Sequence, residues 1–216
     1  LGVTVNSNVT FSTIDPSTMI QHQKLYGSGY DPAWHNSDLP GLDWADTDYD
    51  GQTNEDMYLV PYYDDASRGG KLDGTMVYYY DAWEPESPNY GQPRPYEYSE
   101  NDANTFFETG VALTNSIDIS GGADKVAYRL SYANKDQSGI YPNSELKRNS
   151  INFNGSYNVV KNLKVSSSMS YTNTYTKGRN STGYSGNIMS MFRQWYQVDT
   201  DMALQKELYE STGRNV

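Results

Sequence analysis

The chain contains no cysteine and only two histidines, His22 and His35. Without cysteine it has neither a disulfide framework nor a cysteine-ligated zinc site, and two histidines leave little for histidine-based metal or triad chemistry. Long apolar runs are also missing, so no transmembrane helix is expected. Basic residues are scarce, with 16 Lys and Arg against 27 Asp and Glu. This balance has the wrong sign for a nucleic-acid partner, whose phosphates attract basic surfaces.

The 216 residues include 21 tyrosines and carry a formal net charge of -11, which is spread unevenly. Residues 14–110 hold 19 acids and 4 bases, whereas residues 111–177 hold 4 acids and 8 bases. The acidic segment is dense in Gly, Pro, Asn and Tyr and has no sustained periodicity, which predicts loop structure. A loop of roughly 90 residues is far longer than compact domains ordinarily contain.

The remaining segments alternate between apolar and polar residues. In the first of them Val3, Val5 and Val9 alternate with Thr4 and Asn6, and a period of two is typical of a strand with one apolar and one polar face. The same alternation recurs in four later segments, so we predict an all-β fold of antiparallel strands. The predicted strands are residues 1–13, 111–120, 125–135, 149–159 and 163–176, and the predicted loops are residues 14–110, 136–148 and 177–216.

The connections between these strands alternate in length. The glycine-rich turn Gly121-Gly122-Ala123-Asp124 joins the second and third strands, and Val160-Lys161-Asn162 joins the fourth and fifth, whereas the other connections are long. Short turns at one end and long loops at the other are typical of outer-membrane barrels, whose turns are periplasmic and whose loops are extracellular. Strands of about ten residues also suffice for a tilted crossing of a bilayer.

A soluble sandwich or barrel shows the same alternation with its apolar face turned inwards, so the pattern by itself leaves both folds open. Three features favour a membrane barrel. The polar faces consist mainly of Ser, Thr and Asn, which suits a wet lumen. Tyr171 and Tyr175 lie near the loop end of one strand and Tyr157 near the turn end of another, as in interfacial aromatic girdles. Five strands would form an open sheet, and lipid requires closure, so we expect a fragment of a larger barrel.

Residues 106–172 also contain an ordered set of short motifs. These are Phe107-Glu108-Thr109-Gly110, the run from Ile117 to Arg129, Ser131-Tyr132, Gln137-Ser138-Gly139-Ile140, Asn143-Ser144, Lys147-Arg148 and Asn162-Leu163-Lys164-Val165. Together they closely resemble the start of the barrel in the SusC/RagA family of TonB-dependent outer-membrane transporters of Bacteroidetes. The run from Met191 to Asp199 is similar to the continuation of that family. The resemblance covers about a third of the chain, and its specificity lies in the order of the motifs.

This resemblance implies a closed transmembrane β-barrel of about 22 strands around a plug domain, with long extracellular loops and short loop helices. It implies uptake of oligosaccharides or peptides through the bacterial outer membrane, in contact with its lipid and lipopolysaccharide. A SusD-like surface lipoprotein would act as the lid, and the TonB complex would supply energy through an N-terminal region. That region, the plug and the remaining strands are expected to lie outside this chain.

The acidic loop contains one candidate metal site. Its candidate ligands are Asp46, Asp48, Asp50, Gln52 and Asp56. The three alternate acids followed by glycine match the first half of an EF-hand calcium loop, in which Gln52 would contribute a backbone carbonyl oxygen. The match is incomplete, because Met57 stands where an EF-hand has a bidentate Glu. We predict a structural calcium site here, and the alternative is a solvated acidic turn.

Residues 177–216 contain two predicted helices. An apolar stripe runs from Ile188 to Trp195, and Asp199 is predicted to cap a second helix that ends at Gly213. We interpret both helices as packed loop helices, and the alternative is a surface that faces the lid lipoprotein. The aromatic residues of the acidic loop are likewise interpreted as packing residues, with stacking on sugar rings or peptide groups as the alternative. They include Trp34, Trp44, Trp83 and the run Tyr78-Tyr79-Tyr80.

These observations predict part of a SusC-like importer. No enzymatic activity is predicted, because carboxylate pairs such as Glu84 and Glu86 occur in any loop this acidic. The alternative function is that of a secreted, soluble, calcium-stabilised and β-rich carbohydrate-binding module. The two are distinguished by extraction, since only the importer requires detergent to leave the membrane.

Overall fold

A computed structural model describes residues 1–30, 43–44, 58–61 and 65–214, of which residues 43, 44 and 58 are described as backbone only. The chain divides into two compact units. The sheet unit comprises Leu1–Ile14 and Phe107–Arg179, and the loop unit comprises Asp15–Phe106 and Asn180–Val216. The described strands and helices are β1 (Gly2–Ser12), β2 (Asp43–Trp44), β3 (Tyr58–Leu59), β4 (Met76–Val77), β5 (Arg94–Pro95), β6 (Gly110–Ala123), β7 (Val126–Ser138), β8 (Glu145–Val160), β9 (Leu163–Lys177), α1 (Ile188–Gln194) and α2 (Met202–Thr212).

The sheet unit is one antiparallel sheet in the order β1-β6-β7-β8-β9. Its strands contain the five alternating segments of the sequence, and antiparallel pairing places residues of like polarity on the same face. Strands β1 and β9 are its edges, so the sheet is open within the described residues. We call the end with the β6–β7 and β8–β9 connections the turn end, and the opposite end the loop end.

Two connections differ from the sequence predictions. The loop predicted at residues 136–148 is only six residues long, because Gln137 pairs with Leu146 and Ser138 with Glu145. The glycine turn was placed too early. Gly121 lies within β6 opposite Tyr128, whose hydroxyl oxygen is 2.6 Å from where a β-carbon on Gly121 would stand. A β-carbon on Gly121 would therefore displace the ring of Tyr128, and the turn itself follows Ala123.

The loop unit has a small core built from the acidic segment. Val60, Val77, Tyr79 and Tyr96 are buried together, with Leu72 and Tyr80 packed against them. The two-residue strands β2 and β3 pair with each other, as do β4 and β5. Three short 3-10 helices, Pro16–Thr18, Tyr80–Trp83 and Ala103–Phe106, supply further turns. The segment predicted as irregular loop therefore contains local structure around its own apolar cluster.

The two predicted helices are present, but the cap of the second is different. The side chain of Asn187 accepts hydrogen bonds at the start of α1, and that of Asp201 accepts them from Ala203 and Leu204 at the start of α2. Asp199, the predicted cap, is instead buried and bonded to Ser28. Gly213 ends α2 as predicted, with a positive φ of 69°. No helix in the described part of the chain is long and apolar enough to cross a membrane.

Candidate functional site

The sheet carries an extended exposed apolar face. Eighteen apolar or aromatic side chains on this face are at least 36% exposed, and Val5 reaches 70% and Phe11 69%. Monomeric soluble proteins rarely leave so large a contiguous patch in contact with water. The eighteen are Val3, Val5, Val9, Phe11, Leu113, Ile117, Val126, Tyr128, Leu130, Tyr132, Ile151, Phe153, Tyr157, Leu163, Val165, Met169, Tyr171 and Tyr175.

The opposite face is polar and consists mainly of hydroxyl and amide side chains that bond across strands. The hydroxyl oxygens of Ser150 and Thr172 are 3.1 Å apart, and the hydroxyl of Ser170 donates to Asn152 over 2.7 Å. One ion pair lies among them. Arg129 donates from Nε and Nη2 to Oδ1 of Asp118 over 3.1 and 2.8 Å, and the hydroxyl of Ser131 donates to the same oxygen. This face thus satisfies many of its polar groups internally while remaining hydrophilic.

A hollow of about 490 Å³ lies over strands β7, β8 and β9. Six of the residues that line it belong to the polar face, and the other three, Tyr128, Gly155 and Ser167, form the row between them. The hollow arises because most of these side chains are small. The six polar-face residues are Ala127, Arg129, Asn154, Ser156, Ser166 and Ser168.

The apolar band runs diagonally across the strands. The residues directly opposite one another in the row through Ser7 are Ser7, Asn115, Asn134, Asn149 and Asn173. On β1 the band extends from Val3 to Phe11 and is centred on Ser7. On β9 it extends from Leu163 to Tyr175 and is centred on Met169, four residues closer to the turn end than Asn173.

This displacement gives the tilt between the strands and the band. Four residues correspond to about 13 Å along a strand, and the four steps from β1 to β9 correspond to about 19 Å across the sheet. A band of constant height would therefore be crossed by β9 at a tilt of about 35°. On β8 the band extends from Ile151 to Tyr157, is displaced by five residues over three steps and gives about 50°. The two values bracket about 45°. Transmembrane barrel strands are tilted by about 35–45°.

The height of the band follows from the same geometry. From Val3 to Phe11 the backbone of β1 covers about 26 Å, which projects to about 19 Å at a tilt of 45°. The side chains at the two ends bring this close to the apolar band of about 25 Å that surrounds outer-membrane barrels. On β7 and β8, charged residues begin where the band ends. Asp136 and Lys147 lie on the apolar face beyond the loop-end limit of the band on these strands, in the row that contains Val9 on β1 and Leu113 on β6.

Polar residues in the band and beside its loop-end limit are bonded to each other. The hydroxyl of Ser7 donates to Oδ1 of Asn115 over 2.8 Å. Nearer the loop end, Oδ1 of Asn149 accepts from the hydroxyl of Tyr132 over 2.8 Å and from Nδ2 of Asn134 over 3.0 Å. Such pairing lowers the cost of placing amides and hydroxyls in an apolar environment.

The residues predicted to bind calcium, Asp46, Asp48, Asp50, Gln52 and Asp56, lie outside the described residues, as does Trp34. Within the described ranges, no three His, Asp or Glu side chains are grouped so that they could hold a metal ion. Of the two carboxylates considered as a catalytic pair, Glu84 is buried and accepts from Nη2 of Arg214 at 3.1 Å, whereas Glu86 is exposed. The calcium site stays a prediction.

The helices use their apolar residues for packing within the loop unit. Phe192 of α1 is buried, with its ring centroid 5.3 Å from that of Phe106 and 5.7 Å from that of Tyr196. Leu204 and Leu208 of α2 are also buried. Trp83 is 41% exposed and lies beside Tyr78. A role of these helices or aromatic residues in contacts with a lid protein or a solute stays a prediction.

The burial of two carboxylates of the loop unit, Asp199 and Asp81, could not be predicted from the sequence. Asp199 accepts from the backbone N–H and the hydroxyl of Ser28 over 3.0 and 2.7 Å. Burial raises the pKa of Asp199, although these hydrogen bonds oppose the shift. Asp81 is fully buried and bonded to Arg94, Ser87 and Asn89. Asp199 joins two segments that are distant in sequence, and Asp81 stabilises the turn that follows it. Both roles depend on contacts that form only in the folded protein.

No protein-family model matches the chain, and no curated protein matches it. Its function is therefore inferred from the two faces of the sheet and from its register.

Proposed function

We propose that the sheet is part of the wall of a closed transmembrane β-barrel in the bacterial outer membrane. The observation that carries this proposal is the diagonal course of the apolar band. A flat, water-exposed sheet has no reason to place the apolar residues of β8 and β9 closer to the turn end than those of β1. A tilted strand that crosses a horizontal hydrocarbon layer requires such a shift, because the layer meets each successive strand nearer one end.

The chemistry of the two faces supports the same proposal. Burial of apolar area stabilises a protein by about 25 cal/mol per Å² relative to water, so the exposed band needs either a protein partner or lipid. The opposite face is hydrophilic and carries a hollow over β7, β8 and β9, which suits the inner wall of a barrel. The free edges of β1 and β9 would pair with further strands, because lipid leaves no backbone group without a partner.

The barrel would belong to a TonB-dependent importer of the SusC/RagA type with about 22 strands and a plugged lumen. Residues 14–110 and 177–216 leave the strands at the loop end and would lie on the extracellular side. The importer would take up oligosaccharides or peptides delivered by a SusD-like lipoprotein and would be driven by the TonB complex. The motifs in residues 106–172 support this assignment by resemblance.

The absence of cysteine from the chain permits a direct test. Single cysteines are introduced into a cysteine-free version of the full-length protein at Val5, Ile117 and Leu130 of the apolar face and at Asn6, Ser116 and Ala133 of the polar face. Each cysteine is labelled with a fluorophore, and in intact outer membranes we expect lipid-soluble agents to quench the fluorescence only of labels at the first three positions. We expect reaction with a hydrophilic maleimide only at the second three, once the barrel interior is accessible.

Two outcomes would contradict the proposal. Equal reaction of both sets with the hydrophilic reagent would place both faces in water. Release of the full-length protein from cells without detergent would favour the soluble carbohydrate-binding module instead.

A further inference from the structure

The hollow on the polar face contains several hydrogen-bond donors, although most of its exposed lining is carbon. Ser156, Ser166 and Ser168 present hydroxyl groups, Asn154 presents an amide, and Arg129 presents a guanidinium whose side chain is 62% exposed. No acidic side chain is among the described residues that line it. A volume of about 490 Å³ lies within the range of small-molecule sites, which is about 300–1,000 Å³.

Arg129 is held in place on one side only. A guanidinium has five N–H groups, and Asp118 accepts from Nε and Nη2 on one edge. The two N–H groups of Nη1 and the second of Nη2 have no acceptor among the described residues. Asp118 thereby fixes the orientation of the guanidinium and leaves its other donors for a ligand. Planar paired donors of this kind match the two oxygens of a carboxylate.

We propose that this hollow is a binding site for a carboxylate group carried by a polar solute. The carboxylate accepts from Arg129, while the hydroxyls of Ser166 and Ser168 and the amide of Asn154 bond the adjoining polar groups of the solute. The inference rests on the proposed function, since a solute reaches this face only where the face borders the passage. Both an acidic sugar and the C-terminus of a peptide carry the required group.

Calorimetric titration of the purified full-length protein tests the site and distinguishes the two sources. Digalacturonate is compared with neutral digalactose, and N-acetyl-triglycine with its C-terminal amide. For at least one pair we expect the anionic member to bind about 10- to 100-fold more tightly, as a charge-assisted hydrogen bond predicts. The pair that shows the difference identifies the source of the carboxylate.

Three variants locate the binding. Arg129→Gln should reduce the affinity for the anionic probe to that for its neutral counterpart, and Ser166→Leu should abolish binding because it fills the hollow while leaving the Arg129–Asp118 pair intact. Arg148→Gln is the matched control. Arg148 lies on the same face and donates from Nε to Thr174 at 3.3 Å, but it does not line the hollow, so its loss should leave the affinity unchanged.

The proposal is overturned if no probe binds, if both members of each pair bind equally, or if Arg148→Gln weakens binding as much as Arg129→Gln. The migration of unheated samples on gels verifies that each variant forms the barrel. A protein that shows the alternating cysteine pattern but fails this titration would retain the proposed function and lose only the carboxylate site.

Discussion

The depth of a residue in the apolar band should determine how much a charge costs at that position. Leu130 lies near the middle of the band on the central strand β7, and Val126 lies on the same face four residues nearer the turn end. Four residues cover about 13 Å along the strand, which a tilt of 45° converts to about 9 Å of depth. Lysine costs about 2–4 kcal/mol at the midplane of a barrel and about 0–1 kcal/mol near its interfaces.

We therefore expect Leu130→Lys to lower the free energy of unfolding by about 2–4 kcal/mol and Val126→Lys by at most about 1 kcal/mol. Ala133→Lys is the control on the same strand. Ala133 lies on the polar face between Ser116 and Ser150, so lysine there should cost less than about 1 kcal/mol, as at ordinary surface positions. The measurement is reversible urea unfolding of the full-length protein in lipid vesicles, followed by tryptophan fluorescence.

Equal costs at Leu130 and Val126 would refute the tilted-band geometry, because a second protein layer over the apolar face would cover both positions alike. Equal costs at Leu130 and Ala133 would refute the assignment of the two faces.

Four further predictions concern the loop unit. Gly69→Ala should destabilise the loop unit by about 1–3 kcal/mol, because the new β-carbon would lie 1.9 Å from the carbonyl oxygen of Ser28. Faster hydrogen exchange at residues 26–30 would verify this prediction, and unchanged exchange would count against it. Burial raises the pKa of Asp199, so the folded state binds its proton first and the unit should gain stability as the pH falls from neutral towards the unfolded value near about 4. Asp199→Asn should remove this gain in stability. The measurement is amide hydrogen-exchange protection at residues 196–202, corrected for the pH dependence of the intrinsic exchange rates. A gain that persists in the variant would exclude Asp199 as its source. Asp201→Ala should cost about 1 kcal/mol through loss of the cap of α2, which faster exchange confined to residues 202–206 would reveal. Calcium titration of the full-length protein should give a binding isotherm that Asp48→Asn weakens, and no binding at millimolar calcium would exclude the EF-hand-like site.

The sequence predicts the sheet well because alternation is a local property. A residue such as Val5 or Tyr132 reveals its face through its immediate neighbours, and short connections then favour the antiparallel pairing of β6 to β9. The pairing of β1 with β6 across residues 13–109 has no such local cause. Strand ends are predicted less well, because pairing with a neighbour extends a strand beyond its apolar residues. Strand β8 begins at Glu145 for this reason, although most of the residues that pair it to β7 there are polar or charged.

The candidate site is only partly readable from the sequence. The polar character of Ser156, Ser166 and Arg129 is evident, but the hollow that they share requires three strands in register. The hydrogen bonds between Asp199 and Ser28 connect residues 171 positions apart, and no local pattern encodes a contact of that separation. Asp199 was therefore misassigned as a helix cap, a role for which its position before an apolar run is the usual signal.

The sequence by itself determined the strands, their apolar and polar faces and the uneven distribution of charge, because each depends on spacing along the chain. Only the tertiary structure decided the diagonal course of the apolar band, since a displacement between strands exists only once their register is set. It also decided which carboxylates are buried and which glycines face an aromatic ring. These features depend on distances in space, which the order of residues along the chain does not specify by itself.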